Sequence, residues 1–177
     1  LIKLKDLIDQ NQIPRIPIYV DSPMALESLH LYRKAVARKD VEIRNEFVDK
    51  NFNRDPFDTF TLNEIKSVED SKSINEPKNS CIIISASGMA TGGRVVHHLL
   101  SNLPHEQNAV VLTGFQAYGS LGRRLVDKAK KVRIFGEEVM VRASIHTIGG
   151  LSAHADQAGL LDWLRGFKQV PKTVFVV

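Results

Sequence analysis

The sequence predicts an α/β fold with a mostly parallel sheet flanked by helices. Short, almost continuously apolar segments alternate along the chain with segments whose apolar residues recur at helical spacing. Strands that are apolar along their whole length are typical of parallel sheets covered on both faces. The chain has 177 residues, of which 43% are hydrophobic and 25% charged, and this composition excludes a disordered or fibrous protein.

The first half of the chain predicts a strand between two helices, followed by a weakly patterned stretch. A leucine and isoleucine stripe predicts an opening helix that Pro14 ends. After the strand, Asp21-Ser22-Pro23 supplies two capping side chains and a proline for the first turn of the next helix. The predicted elements are a strand over 16–20, a helix over 23–38 and short helices near 40–48 and 69–75, on either side of a loop at 55–57.

The second half repeats strand and helix more clearly. The predicted strands cover 80–85, 109–113, 131–135, 139–145 and 173–177, and the predicted helices cover 92–102, 121–129 and about 157–167. The chain starts at Leu1 and stops within an apolar strand pattern, so we expect it to be an excerpt of a larger protein.

Two of the predicted strand-to-helix loops are built alike. The loops over 85–94 and 114–123 both end in a hydroxyl residue, any residue, glycine and arginine. Arg94 and Arg123 lie 29 positions apart, about one strand–helix repeat. In an open parallel sheet both loops would emerge at the carboxyl ends of the strands, where such folds bind ligands.

The residue types in these loops suit an anion. Hydroxyl residues can cap the helices and leave backbone N–H groups pointing outward, glycines allow a close approach, and arginines offer bidentate donors. The alternative is that the glycines only make tight turns and the arginines are solvated, but two matching loops favour anion binding. Neither loop is a Walker A or dinucleotide motif, which disfavours ATP and NAD. The candidate ligand-binding residues are Ser87, Gly88, Thr91, Gly92, Gly93, Arg94, Gly119, Ser120, Gly122 and Arg123.

A third loop, over 149–156, is rich in reactive side chains. His154 is a candidate general acid or base, oriented by Asp156, and Ser152 a candidate donor to a substrate oxygen. The alternative is that Asp156 or Ser152 caps the last helix while His154 is a packed or surface residue. We expect Asp21 to be a helix cap rather than a catalyst, and His98 to lie on a polar helix face with Arg94. The chain has no His-x-His or Cys-x-x-Cys pair, so no complete metal site is expected within it.

Charge, cysteine content and apolar runs limit the partners and the compartment. A net charge of +4, spread over the surface, is a mild hint of a polyanionic partner. No apolar run approaches the roughly 20 residues that cross a bilayer, so no membrane partner is expected. Cys81 stands alone in an apolar segment, which fits a reducing compartment and a cytoplasmic location. The sequence leaves the oligomeric state open, a homodimer included.

Four ordered motifs give the chain a resemblance to a known family. They are Ile18-Tyr19-Val20-Asp21-Ser22-Pro23-Met24-Ala25, the two glycine and arginine loops over 85–94 and 114–123, and Ser152-Ala153-His154-Ala155-Asp156. Together they resemble the β-CASP nucleases of the metallo-β-lactamase superfamily, among them prokaryotic homologues of the endonuclease that cleaves pre-mRNA 3′ ends.

The resemblance implies a zinc-dependent ribonuclease that hydrolyses phosphodiester bonds in single-stranded RNA. Residues 1–142 would be a β-CASP domain that caps the active cleft and binds the RNA backbone, and residues 143–177 part of the returning metallo-β-lactamase αββα domain. His154 would protonate the leaving group or position the scissile phosphate, and Ser152 would contact phosphate. Two zinc ions are implied, with their ligands outside this chain.

The resemblance leaves two other readings open, and the sequence departs from the family pattern in one loop. A homologue with a degenerate metal site would be a non-catalytic RNA-binding or scaffold subunit, and a DNA-processing relative is a further alternative. Phe115 stands where tyrosine is usual and Tyr118 where an acidic residue is common, so this loop gives no secure substrate preference. We expect the 177-residue piece alone to bind RNA weakly and to cleave nothing.

Overall fold

The helices and strands alternate as the sequence predicts, which confirms the α/β class. A computed structural model describes residues 1–41, 43, 47, 55–151 and 155–175. The strands, numbered over these residues, are β1 Ile18–Val20, β2 Leu62–Glu64, β3 Ile82–Ile84, β4 Ala109–Leu112, β5 Lys131–Ile134, β6 Glu137–Met140 and β7 Ser144–Thr147. The helices are α1 Ile2–Asp9, α2 Pro23–Arg38, α3 Val68–Ser73, α4 Arg94–Asn102, α5 Leu121–Val126 and α6 Gln157–Arg165, with a 3₁₀ turn at Gly149–Leu151.

The first sheet is parallel and has the order β2-β1-β3. The central strand β1 pairs Ile18 with Leu62 on one side and with Ile82 on the other. Strand β2 was not predicted, because its sequence Leu-Asn-Glu has no apolar pattern of its own. The backbone ladder with β1 makes this segment a strand, and a ladder is a property of two segments rather than of one.

The remaining described strands form two separate two-stranded ladders. Strands β4 and β7 pair in parallel, and β5 and β6 form an antiparallel hairpin whose turn residues Phe135 and Gly136 both have positive φ. The single strand predicted over 139–145 is therefore wrong, since β6 and β7 belong to different ladders. The N–H groups of Arg142 and Ala143 both donate to the Leu103 carbonyl oxygen, at 2.9 and 3.0 Å, and this divides the two strands.

A hydrophobic cluster joins α4, α5 and the hairpin to β4. Its most deeply buried side chains are Leu103, Leu125, Val132 and Ile134. Each such side chain contributes roughly 1.5–3 kcal/mol when it leaves water. Described residues cover the ladder of β4 and β7 on one face only, because Val111 remains 48% exposed. The prediction of a sheet covered on both faces is therefore wrong for this ladder in the described part of the chain.

Local signals place the ends of the long helices. The Ser22 hydroxyl accepts from the Ala25 N–H at 3.2 Å, Pro23 begins α2, and Lys39 in the left-handed region ends it, so helix 23–38 is confirmed. The predicted helix near 69–75 corresponds to α3, and most of the helix predicted near 40–48 lies outside the described residues.

The predicted strand over 173–177 is wrong where the structure describes it. Residues 173–175 form no strand, and Phe175 is 85% exposed. A strand needs a neighbouring backbone to satisfy its N–H and C=O groups, and among the described strands none pairs with this segment. Within the same residues, no helix combines the length and the apolar character that crossing a bilayer requires.

Candidate nucleic-acid interface

The two similar loops lie side by side and are bonded to each other. We name residues 85–93 loop A and residues 113–120 loop B. The Gln116 side chain in loop B donates from Nε2 to the Gly88 carbonyl oxygen at 2.8 Å. Immediately after loop B, the Gly122 N–H donates to the Met89 carbonyl oxygen at 3.0 Å. The predicted proximity of the loops is confirmed, although β3 and β4 are not neighbours in one ladder.

Two of the candidate glycines are required by the contact between chain segments. A Cβ atom on Gly122 would lie 1.7 Å from Gln116 Oε1 and 3.1 Å from the Met89 carbonyl oxygen. Gly93 has a φ of +77°, and a Cβ atom there would lie 3.1 Å from the Ala86 carbonyl oxygen. These glycines allow the loops to pack, so the fold by itself explains them.

Other candidate glycines face open space. A Cβ atom at Gly88 or Gly92 would meet no heavy atom within 4 Å, and neither residue has a positive φ. Gly119 also faces open space, although its φ of +83° already favours glycine. Nothing in the described part of the chain requires a glycine at Gly88 or Gly92, and a missing side chain there lets a ligand approach the backbone.

The two hydroxyl residues of the shared pattern have different roles. Ser120 caps α5 as predicted, because its hydroxyl accepts from the Arg123 N–H at 3.1 Å and donates to the Ala117 carbonyl oxygen at 2.7 Å. The predicted cap by Thr91 is wrong, since α4 begins after Gly93 without a side-chain cap. The Thr91 hydroxyl instead lies on the exposed side of loop A, 3.4 Å from the Ser87 hydroxyl.

The start of α5 does not present its N–H groups to a ligand. The Gly122 N–H binds the Met89 carbonyl oxygen, the Arg123 N–H binds the Ser120 hydroxyl, and the Arg124 N–H binds the Ser120 carbonyl oxygen at 3.2 Å. The expectation of outward N–H groups is therefore wrong at α5, because loop A and the serine cap already accept these bonds.

Arg123 is the more accessible of the two arginines. Its side chain is 43% exposed and its Nε donates to both carboxylate oxygens of Asp127 at 3.0 Å. Asp127 raises the pKa of Arg123 through this hydrogen bond. Among the described residues, none accepts a hydrogen bond from its terminal nitrogens, so the guanidinium can still contact a phosphate.

Arg94 has a different environment, which the sequence did not predict. Its Nη1 donates to Asp21 Oδ1 at 2.6 Å and to the Ile65 carbonyl oxygen at 3.1 Å, and its Nη2 donates to the Lys66 carbonyl oxygen at 3.1 Å. The side chain is only 18% exposed. Arg94 therefore fixes the start of α4 against β1 and the segment after β2, and most of its donors are used within the protein.

Asp21 is the centre of this buried cluster. It is fully buried, and its carboxylate accepts from Ser71 Oγ and lies 2.6 Å from His98 Nε2, besides pairing with Arg94. The expectations that Asp21 caps a helix and that His98 lies on a polar face are wrong, because Ser22 is the cap and His98 is buried. Burial alone would raise the pKa of Asp21, but the hydrogen bonds from Ser71, His98 and Arg94 lower it. An ionised Asp21 only accepts, so His98 Nε2 carries the proton of their hydrogen bond.

The histidine loop is only partly within the described residues. Ser152 and His154 lie outside them, so their roles stay predictions. Asp156 caps α6, because its Oδ1 accepts from the Gly159 N–H at 2.8 Å. The capping alternative is therefore confirmed for Asp156, and its proposed orientation of His154 stays a prediction.

The described residues do not fit a zinc ion. Among them, no three His, Cys, Asp or Glu side chains are grouped to hold a metal. The nearest approach is the pair of Asp21 and His98, but the guanidinium of Arg94 occupies the same carboxylate and opposes a second cation.

Loops A and B lie within a part of the chain that matches the model of a known family. The family model described as Beta-Casp domain matches residues 1–125. The chain belongs to the β-CASP family. Residues 138–177 of this β-CASP chain match a second model, described as Zn-dependent metallo-hydrolase RNA specificity domain. The family resemblance read from the four motifs is confirmed.

The curated relatives of the β-CASP chain are longer proteins. Ribonuclease TTHA0252 of Thermus thermophilus is 41% identical over 160 residues, which are 90% of this chain and 36% of the relative. The RNase J-like protein of Methanocaldococcus jannaschii is 32% identical over 172 residues, covering 97% of this chain and 37% of the relative. Transcription termination factor FttA of Methanococcus maripaludis is 28% identical over 166 residues, covering 91% and 26%. The chain thus spans between about a quarter and just over a third of these relatives.

Proposed function

We propose that the complete protein is a zinc-dependent, cytoplasmic ribonuclease that hydrolyses phosphodiester bonds in single-stranded RNA. Residues 1–142 would cap its active cleft as the β-CASP domain, and residues 143–177 would belong to the returning metallo-β-lactamase domain. The observation that carries this proposal is the succession, in one chain, of a β-CASP match and a match to an RNA specificity domain.

The joined loops A and B are the proposed contact with the RNA backbone. In loop A the open space at Gly88 and Gly92 and the hydroxyls of the half-buried Ser87 and the exposed Thr91 suit a phosphate. Beyond loop B, the partly exposed Arg123 adds a positive charge.

The other candidates of these loops support the contact rather than make it. Ser120 caps α5, Gly93 and Gly122 allow the loops to pack, and Arg94 anchors α4 to Asp21. Gly119 forms the left-handed turn just before the Ser120 cap. Because most donors of Arg94 are bonded within the protein, the proposed backbone contact depends on one guanidinium and on exposed loop backbone, and not on the two guanidinium groups expected from the sequence.

The chemical step is proposed from the family resemblance. His154 would donate a proton to the leaving oxygen and Ser152 would contact the phosphate. The two zinc ions belong to the same proposal, with ligands that we place outside this chain.

The test uses the complete protein and a labelled single-stranded RNA. His154→Ala should lower turnover by at least about 100-fold, the range for loss of a general acid, with little change in Kd. His105→Ala, at an exposed loop histidine, is the matched control and should leave both unchanged. A chelator should abolish turnover, and added zinc should restore it.

Several outcomes would contradict the proposal. Wild-type turnover in the His154→Ala variant removes this residue from the mechanism, and turnover that a chelator leaves intact removes the zinc. RNA binding without any cleavage by the wild-type protein identifies a scaffold, and faster cleavage of single-stranded DNA than of RNA identifies a DNA-processing enzyme.

A further inference from the structure

One segment of the chain is dense in positive charge. Residues 123–133 contain six Lys or Arg and one Asp, a formal net charge of +5, whereas the whole chain carries +4. All other residues together therefore carry a net charge of −1. Clustered cations of this kind are the usual electrostatic mark of a nucleic-acid contact.

The fold brings Arg124, Lys131 and Arg133 together around one cavity, and the exposed Lys128 and Lys130 lie in the short connection between α5 and β5. We call these five cations the basic face. Strand β5 alternates, so that Lys131 and Arg133 are exposed whereas the residues between and after them are buried. Arg124 on α5 donates from Nη2 to the Lys131 carbonyl oxygen at 3.2 Å, which joins helix and strand. A cavity of about 340 Å³ opens there, lined by Arg124, Lys131, Val132, Arg133 and Glu138.

Nearby carboxylates neutralise only part of the basic face. Lys131 lies 2.6 Å from Glu138, and its hydrogen bond lowers the pKa of that carboxyl. Asp127 is taken by Arg123, and Glu137 lies at the start of β6. Lys128 and Lys130 are exposed and, among the described residues, have no carboxylate within ion-pair distance. The face therefore keeps a surplus of positive charge.

The basic face continues from the joined loops. Helix α5 begins directly after Ser120 of loop B, and its six residues span only about 9 Å at the usual helical rise. Lys128 and Lys130 follow its end. The cations of the face thus begin one residue after Arg123 in the chain, and an extended chain of phosphates that contacts Arg123 has only a short distance to span.

We propose that the basic face is a second contact for the RNA backbone, which holds the part of a long single strand that extends beyond loops A and B. This inference rests on the proposed function, because it assumes that the loops contact RNA. Lysine is depleted at protein–protein interfaces and cations are enriched where proteins bind nucleic acid, so the lysine-rich composition favours RNA over an acidic protein. The match to an RNA specificity domain begins at residue 138, within the same hairpin.

The test compares two triple variants of the complete protein that remove the same charge. The face variant is Lys128→Gln, Lys130→Gln, Arg133→Gln, and the control is Lys34→Gln, Arg38→Gln, Lys78→Gln, at exposed cations outside the face. Binding of labelled single-stranded RNAs of about 6 and about 24 nucleotides is measured by fluorescence anisotropy at several salt concentrations, the second RNA being longer than the roughly 4–16 nucleotides of one typical single-strand site.

We expect the face variant to change the salt dependence for the long RNA. The loss of three phosphate contacts makes the negative slope of log K against log[salt] shallower by about 2. Between 50 and 200 mM salt, the affinity of the wild type should therefore fall about 20-fold more than that of the face variant. The affinity gained on lengthening the RNA should shrink in the face variant and persist in the control. The double variant Lys128→Glu, Lys130→Glu should reduce that gain further.

Each other outcome has a distinct meaning. If the wild type binds RNA and the face variant shows the same salt slope and the same length dependence as the wild type, the proposed role of the basic face is wrong and the proposed function stands. Equal losses in the two triple variants also overturn the face, because net charge alone would then explain them. If the wild type binds neither RNA, both the face and the proposed function are wrong.

Discussion

Asp21→Asn hardly changes the size of the side chain, yet we expect it to destabilise the protein strongly. Asp21→Asn removes the carboxylate that the buried Arg94 guanidinium faces at 2.6 Å. Breaking a buried ion pair by removing one partner costs about 3–5 kcal/mol, because the other charge stays buried without compensation. Arg94 keeps 18% of its side-chain surface in water, so we expect the lower end, about 3 kcal/mol. A typical domain is stable by only about 5–15 kcal/mol.

Urea unfolding followed by circular dichroism measures this cost. With an m value of about 2 kcal/mol/M, a loss of about 3 kcal/mol lowers the midpoint by about 1.5 M urea. Asp127→Asn is the matched control, since it removes a carboxylate that pairs with Arg123 at the surface, and its midpoint should stay within error of the wild type.

A double-mutant cycle tests the stated cause. If the ion pair is responsible, Arg94→Leu should cost less in the Asp21→Asn background than in the wild type, because the uncompensated charge is then removed. A wild-type midpoint for Asp21→Asn, or strictly additive effects of the two substitutions, would refute the reasoning.

Three further predictions follow from the same contacts. Because the pKa of Asp21 is lowered in the folded state, its contribution to stability is complete above about pH 4 and is lost as the pH falls through the folded-state pKa. In a plot of the free energy of unfolding against pH, Asp21→Asn should therefore flatten the acid side of the curve. Arg123→Gln should make the slope of log K against log[salt] for RNA binding shallower by about 0.7 without destabilising the protein. Arg94→Gln should instead lower the urea midpoint and leave that slope unchanged. The reverse pattern would contradict the assigned roles. Gly122→Ala should lower the free energy of unfolding by about 1–3 kcal/mol, because its Cβ atom would overpack the contact between the loops. Gly88→Ala should weaken RNA binding and leave the free energy of unfolding unchanged. Equal stabilities of the two alanine variants would contradict this prediction.

The elements that the sequence predicted well are those whose signals act over a few residues. Ser22 with Pro23 begins α2, Ser120 begins α5 and Asp156 begins α6, each through a side chain that bonds an N–H three positions ahead. Such a bond is local, so it can be read before anything is known of the fold.

The strands show the opposite behaviour. The polar segment of β2 is a strand because β1 pairs with it, and the apolar segment over 173–175 is not one among the described residues. The carbonyl oxygen of Leu103, far away in the sequence, separates β6 from β7. A strand depends on a partner backbone, and the identity of that partner is not written in the strand's own pattern.

In the candidate site, too, some features could be predicted from the sequence and others depend on the tertiary structure. By itself the sequence determined the family, the likeness of two glycine and arginine loops and their common side of the fold, because repeated strand–helix units place their loops alike. Only the tertiary structure decided which arginine a ligand can reach: Arg94 meets Asp21 across 73 positions, and Arg123 meets Asp127 within one helical turn at the surface. The two arginines share a motif but differ in exposure, 18% against 43%, and in how many of their donors are already bonded. Both differences depend on which residues the rest of the chain packs beside them.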